Sequence, residues 1–514
     1  MRGPGGVPSV AAHAMAKARI SPRRLPIDDP LDIVELAGLA MTRAAGAPAL
    51  EGNAVRLLRD ADENFPAWKA AIEAAQRYVL FECYIVADDP IGRSFAQLLT
   101  ERARAGVKVA VMVDWLGSWT SLGMWADLRA AGGEVRVFNP PRLSSPLGWL
   151  SRDHRKTIVV DGDVGFVSGL CVSQQWVGDP ARKLEPWRDT GIEVRGPAIG
   201  ALESAFAQVF ATCGAPLPEA LLVAEGSHAR AGDVRMHVIA NEPNVAGTFR
   251  MDLIVASIAR QNLWLTDAYF VGTTPYVQAL CAAARDGVDV RLLVPGASDI
   301  PALSPLSRAQ YRPLLEAGVR VFEWNGTMLH AKTAVADGRW ARVGSTNLNL
   351  ASWMSNYELD VAIEDAEFAQ IMAAQYERDI ACATEIVLTS RNRVRRAEST
   401  PGVDPLPRNA RRAVSGSAGR AAAGAVSVGS ALGAALTNRR TLGPAEAGLL
   451  LLMALTAGFI GVVAAVWPRV LAWPLSAITL WLALAWGMKA YALHRGRRAA
   501  NGPEPIARFD DIDG

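Results

Sequence analysis

The sequence predicts an α/β protein made of two similar halves packed as one pseudo-twofold unit, followed by a helical hairpin that crosses a membrane. Three observations carry this reading. The segment Ala103-Arg-Ala-Gly-Val-Lys-Val-Ala-Val-Met-Val-Asp114 returns 181 positions later as Ala284-Arg-Asp-Gly-Val-Asp-Val-Arg-Leu-Leu-Val-Pro295, and Val135-Arg-Val-Phe138 returns as Val319-Arg-Val-Phe322. β-Branched runs alternate with helical patterns, as in 78–86 (strand), 92–105 (helix) and 107–113 (strand). Near the C-terminus, 447–467 and 470–488 contain no charged side chain. At 1.5 Å rise per residue, each run covers roughly 30 Å of hydrocarbon.

Taken in order, residues 1–40 form a tail with Arg2, Lys17, Arg19, Arg23 and Arg24 but no apolar core of signal-peptide length. A first half, 41–225, and a second, 226–390, are each of ordinary domain size and meet in the Pro- and Gly-bearing passage 214–232. Residues 391–440 read as a linker, basic over 391–412 and then rich in Ala, Gly and Ser. The hairpin occupies 441–495, and 496–514 is a tail. Arg439 and Arg440 precede the hairpin, and Lys489, Arg495, Arg497 and Arg498 follow its second run. The positive-inside rule then puts both ends in the cytoplasm, with the catalytic part on the cytoplasmic side of an inner membrane.

Lys and Arg total 53 against 51 Asp and Glu, so the net charge of +2 gives no reason to expect a nucleic-acid partner. The five cysteines lie far apart without C-x-x-C spacing, which argues against a zinc site and against a disulfide framework.

The chemistry lies in a duplicated motif. His154-Arg-Lys156-Thr-Ile-Val-Val-Asp161 and His330-Ala-Lys332-Thr-Ala-Val-Ala-Asp337 share the spacing H-x-K-x4-D in a chain with six histidines. In an extended strand, residues i and i+2 face the same way, so each copy offers an imidazole beside an ammonium. Asp161-Gly162 and Asp337-Gly338 signal hairpin turns, and the two aspartates count with the histidines and lysines as the expected catalytic set. A two-residue turn would set Gly169 opposite His154 and Ser345 opposite His330, leaving space for a phosphoryl group. A neutral imidazole is a competent nucleophile toward phosphorus, and a second can protonate the departing oxygen. The lysines supply charge for the phosphate oxygens, and no metal or other cofactor is called for. Asp189 and Glu358 are candidates to hold the rings in the required tautomer.

At these residues the chain resembles the phospholipase D superfamily, whose mark is two H-x-K-x4-D copies followed by G-G/S-x-N. Within it the bacterial cardiolipin synthases are most similar, on Trp187-Arg-Asp-Thr190, Asp267-Ala-Tyr-Phe270, Leu329-His-Ala-Lys-Thr333 and Val343-Gly-Ser-Thr-Asn-Leu348. The resemblance covers roughly 50–390. It implies two halves whose histidines face one phosphate, His154 as nucleophile, His330 as general acid and then base, and Asn347 as a phosphate-binding residue; the residues alone allow the reverse assignment. The implied reaction passes a phosphatidyl group to a hydroxyl of phosphatidylglycerol and releases glycerol, with hydrolysis or transfer to another alcohol as the alternative. The implied partners are phospholipids and the membrane, toward which the basic stretch 391–412 would be drawn. In the first half Cys171 stands where the family has Asn, and Ser168-Gly169 replaces Gly-Gly.

Overall fold

Runs rich in Val, Ile, Leu and Phe with hydrophobic residues on both faces form strands that are covered on both sides. The computed structural model describes residues 33–141, 151–218, 221–223, 226–300, 307–388 and 394–396, with scattered positions between 455 and 487. The first half contributes β1 (Leu50–Arg59), β2 (Tyr78–Cys83), β3 (Lys108–Asp114), β4 (Glu134–Phe138), β5 (Lys156–Val160), β6 (Val164–Ser168) and β7 (Thr190–Arg195). The second contributes β8 (Val234–Asn241), β9 (Asn262–Thr266), β10 (Asp289–Pro295), β11 (Arg320–Trp324), β12 (Thr333–Ala336), β13 (Trp340–Gly344) and β14 (Glu358–Glu364), with β15 (Ala383–Leu388) and β16 (Val394–Arg396) added at its edge.

The strand order is the same in both halves, β1-β7-β6-β5-β2-β3-β4 and β8-β14-β13-β12-β9-β10-β11. The two sheets join where β1 runs antiparallel to β8, with Leu50 opposite Met236. The repeat visible in the sequence is thus a pseudo-twofold repeat of topology. Val159, Val167 and Ile192 of the first sheet share one buried cluster with Val335, Val343 and Val361 of the second, together with the helices Ala198–Thr212 and Ala366–Ala381. Each such fully buried side chain contributes about 1.5–3 kcal/mol by leaving water. Outer helices cover the other faces, Phe65, Trp68 and Phe95 in the first half and Met251, Tyr276 and Leu280 in the second.

Two expected boundaries shift. The helix Ile33–Ala45 begins inside the expected tail, and its Met41 and Ala45 pack into the core of the second half. Residues 394–396, expected in the linker, pair with β15 as β16, Leu388 opposite Val394.

The hairpin register also differs from the expectation. Val160 pairs with Val164, and Ala336 with Trp340, so each loop has three residues and the facing positions move by one. Asp161-Gly162 and Asp337-Gly338 do turn the chain, with φ of 57° and 76°, then 51° and 61°, a left-handed backbone that glycine adopts without cost. Gly169 and Ser345 are therefore not opposite His154 and His330.

The expected membrane hairpin falls largely outside the described residues. Among the described residues no helix is long and apolar enough to cross a membrane. Leu455, Phe459, Trp473 and Leu484 are exposed apolar side chains there.

Candidate active site

Each H-x-K segment runs into its strand from outside: β5 starts at Lys156 and β12 at Thr333. The backbone there pairs with the other half. His154 N donates to Tyr357 O (2.9 Å), and Tyr357 N donates to Arg152 O (2.8 Å). His330 N donates to Arg188 O (2.7 Å), and Arg188 N donates to Met328 O (2.8 Å). The residue after each partner is a carboxylate, so this exchange carries Glu358 to His154 and Asp189 to His330.

The imidazoles are held accordingly. His154 Nδ1 lies 2.9 Å from Glu358 Oε2 and 3.2 Å from Ser345 O. His330 Nδ1 lies 2.8 Å from Asp189 Oδ2. A carboxylate accepts, so each Nδ1 carries the hydrogen and each Nε2 keeps its lone pair. Glu358 is braced by the Ser345 hydroxyl (2.6 Å) and the Asn356 amide (3.2 Å), and Asp189 by Trp176 Nε1 (2.9 Å) and Thr190 N (2.8 Å).

Ser345 and Gly169 have a role other than facing the ring of their own half. Ser345 sits beside His154 of the first half, and a Cβ at Gly169 would come within 2.2 Å of Asp189 Oδ1. The small residue leaves room for the orienting carboxylate.

Burial governs the electrostatics. It lowers His154 to about 4, against the pull of Glu358, and it lowers His330 to about 3 with help from Lys332. Both rings are neutral near pH 7. Burial raises the carboxyls of Asp189 and Glu358, but the facing imidazoles and lysines outweigh it and leave both below their ordinary values. Burial also lowers Lys332, to about 8. The field of Lys332 reaches His154 and that of Lys156 reaches His330, so the two motifs form one electrostatic site. Lys332 Nζ lies 3.0 Å from His330 Nε2, and Lys156 Nζ donates to His154 O. Asn347 is buried in the same region, and its Oδ1 has no hydrogen-bond partner among the described residues.

Asp161 and Asp337 do not join this group. The Asp161 carboxylate accepts from the backbone N–H of Gln76, Arg77 and Tyr78 (2.7–2.8 Å), and that of Asp337 accepts from Arg260, Gln261 and Asn262 (2.7–3.1 Å). Each closes the start of a neighbouring strand, β2 or β9, at the end of the hairpin opposite the histidine. This corrects their expected catalytic placement: seven extended residues at about 3.3 Å each separate them from the rings.

Four aromatic rings pack on the imidazoles and were not singled out as site residues. Tyr84 is 4.9 Å from His154, and Tyr269, Trp176 and Trp187 are 5.3–5.8 Å from His330, centroid to centroid. The parallel between Glu82-Cys-Tyr-Ile-Val86 and Asp267-Ala-Tyr-Phe-Val271 was the signal for the tyrosines. Arg155 is also buried and donates to Ala205 O (2.7 Å) of the first half and to Asn241 O (3.1 Å) and Glu358 O (3.2 Å) of the second. Arg188 grips Asp379 through two 2.9 Å bonds and fixes the backbone next to Asp189.

Known proteins are similar to this chain in sequence and fold. Cardiolipin synthase A of Pseudomonas aeruginosa is 35% identical over 370 residues, spanning 70% of this chain and 73% of its own. The chain belongs to the cardiolipin synthase family of the phospholipase D superfamily, a family of phosphatidyltransferases. A second family member, the cardiolipin synthase of Halalkalibacterium halodurans, is 31% identical over 352 residues, 67% of this chain and 69% of its own. The family model described as "Cardiolipin synthase, PLD-like domain" matches residues 254–380, the part that holds the second motif. In fold the chain is similar to phosphatidylserine synthase of Haemophilus influenzae, with a TM-score of 0.53 at 14% identity over 76% of this chain and 99% of that one. Within this cardiolipin synthase family frame, Cys171 holds the first-half position that Asn347 holds in the second, and it is buried against Cys83.

Proposed function

We propose that this chain makes cardiolipin and glycerol from two phosphatidylglycerols by a two-step transfer through histidine. The observation that carries the reading is the pair of neutral imidazoles, each with its Nδ1–H donated to a carboxylate of the opposite half, beside two lysines. His154 Nε2 attacks the phosphorus of the donor lipid, and the P–O bond to glycerol breaks. His330 gives the leaving oxygen its proton, so the products of this step are glycerol and a phosphatidyl-histidine. Arrival of the phosphodiester anion supplies the negative charge that favours an imidazolium in so dry a site. His330, now neutral, takes the proton of the acceptor hydroxyl as that oxygen attacks phosphorus, releasing cardiolipin and free His154. Lys156, Lys332 and Asn347 bind the phosphate oxygens, which redistribute charge in both transition states.

The lipid substrates, the membrane hairpin at 441–495 and a cytoplasmic catalytic part belong to the same proposal. The apolar runs and the basic flanks support it. Holding the enzyme at the bilayer raises the effective concentration of both lipids. Incubation of the full chain with phosphatidylglycerol vesicles, followed by mass analysis of the lipids, tests the reading. Cardiolipin with matching glycerol supports it. Phosphatidic acid alone points to hydrolysis, and no lipid turnover overturns both.

A further inference from the structure

The second half has Ala268 and Asn347 where the first has Cys83 and Cys171. Cys83 ends β2, and Cys171 follows β6 on a segment that runs alongside 85–87: Val172 N donates to Ile85 O (3.0 Å) and Ala87 N to Val172 O (2.9 Å). The Cys83 thiol donates to Ile85 O (3.1 Å), and the Cys171 thiol neighbours it. Both belong to one buried cluster and both are free thiols.

A buried cysteine in apolar surroundings is ordinarily inert, because the thiolate is the reactive form and burial disfavours it. Burial does push the Cys83 thiol well up. Cys171 differs, since burial raises it but the neighbouring Cys83 thiol and the charges of Lys156 and Lys332 bring it down to about 7. One thiol is thus poised to attack, and the other lies beside it as a resolving partner.

We propose that Cys83 and Cys171 form a reversible disulfide within the active site, made by a hydroperoxide and undone by a dithiol, and that it switches lipid transfer off. The switching part rests on the function proposed above; the disulfide itself does not. Cys171 attacks the peroxide through sulfur, the O–O bond breaks, and a sulfenic acid and one water (or alcohol) result. Cys83 then attacks the Cys171 sulfur, S–S forms, and a second water leaves. Two thiols lose two electrons in all, and the peroxide takes them up. The bond ties the position equivalent to Asn347 to β2 and removes the Cys171 thiol hydrogen from the phosphate end of the first half-site.

The test treats the full chain in vesicles with hydrogen peroxide, follows cardiolipin formation and maps thiols by peptide mass analysis. The expected result is a cross-linked peptide joining Cys83 to Cys171 and at least a tenfold loss of transfer, both reversed by dithiothreitol. Cys83→Ala should keep transfer before oxidation and resist reversible inactivation. Phosphatidylglycerol bound beforehand should slow cross-linking, because it covers Cys171. The disulfide is overturned if both thiols still alkylate after peroxide treatment, a readout that needs no lipid turnover. If the cross-link forms in full while transfer continues undiminished, the switch is overturned and the disulfide stands. Should Cys83→Ala fold poorly, the cross-link in the unaltered chain still decides the matter.

Discussion

The two halves share a topology strand for strand, but they differ at the ring each presents. His154 sits among Tyr84, Ser345 and Glu358, and its half carries Cys83 and Cys171, whereas His330 sits among Tyr269, Trp176, Trp187 and Asp189, and its half carries Ala268 and Asn347. Each half keeps its own histidine and lysine and lends its carboxylate to the other. The duplication is therefore symmetric in its scaffold and exchanged in its chemistry, and neither half contains a complete site.

That comparison can be broken most severely at the rings. His154→Ala and His330→Ala should each cut cardiolipin formation by at least about a thousandfold. Rapid-quench trapping of labelled lipid on the protein should find none on His154→Ala. Substantial turnover in either variant defeats the shared-site mechanism.

Next come the exchanged carboxylates. Glu358→Gln and Asp189→Asn should each lower kcat by roughly a hundred- to ten-thousandfold with little change in KM. Because Asp189 serves the ring that protonates the leaving group, a nitrophenyl phosphodiester donor, whose alcohol leaves without a proton, should restore the first step in Asp189→Asn. It should not do so in Glu358→Gln. Equal rescue of both variants would contradict the assignment of roles.

A third prediction concerns pH and stability. The native His154 value, about 4, lies below the ordinary 6.5, so the folded state resists a proton that the unfolded chain accepts. The ring contributes stability that is complete above pH 6.5 and is lost as pH falls toward 4, on the order of 3 kcal/mol. Thermal unfolding of the parent and of His154→Gln across that range should show the parent losing ground to the variant as pH falls. A pH-independent difference rules this out.

The smallest expected effect is at the far ends of the hairpins. Asp161→Ala and Asp337→Ala should each cost about 1–3 kcal/mol of stability by orphaning strand-start amides, while kcat at low temperature stays within a few-fold of the parent. A large loss of kcat in the folded variant would return these residues to the chemistry.

Much of the site was legible because its signal is local. The H-x-K spacing recurs within a few residues and needs no tertiary knowledge, and the offset repeat disclosed the two halves. What eluded the sequence was non-local. That Tyr357 pairs with His154 and Arg188 with His330 depends on how the halves dock, so the partner of each carboxylate could not be read off. The hairpin register slipped by one because Asp163 and Arg339 join the loops, a choice the Asp-Gly signal does not specify. Asp161 and Asp337 read as turn residues, yet their carboxylates serve amides about 75 to 85 positions away. Ser345 and Gly169 were singled out for their size, which matters, but the group they accommodate is a carboxylate.

Arg155 ties these observations together. Its guanidinium, cut off from water, finds its oxygens on Ala205 in one half and on Asn241 and Glu358 in the other. Separating the halves would strand a cation without solvent or acceptor, so the catalytic strand and the interface should open together or not at all. Native-state hydrogen exchange along β5 and β14 should then report a single opening event, and the enzyme gains a built-in safeguard against displaying reactive imidazoles before assembly is complete.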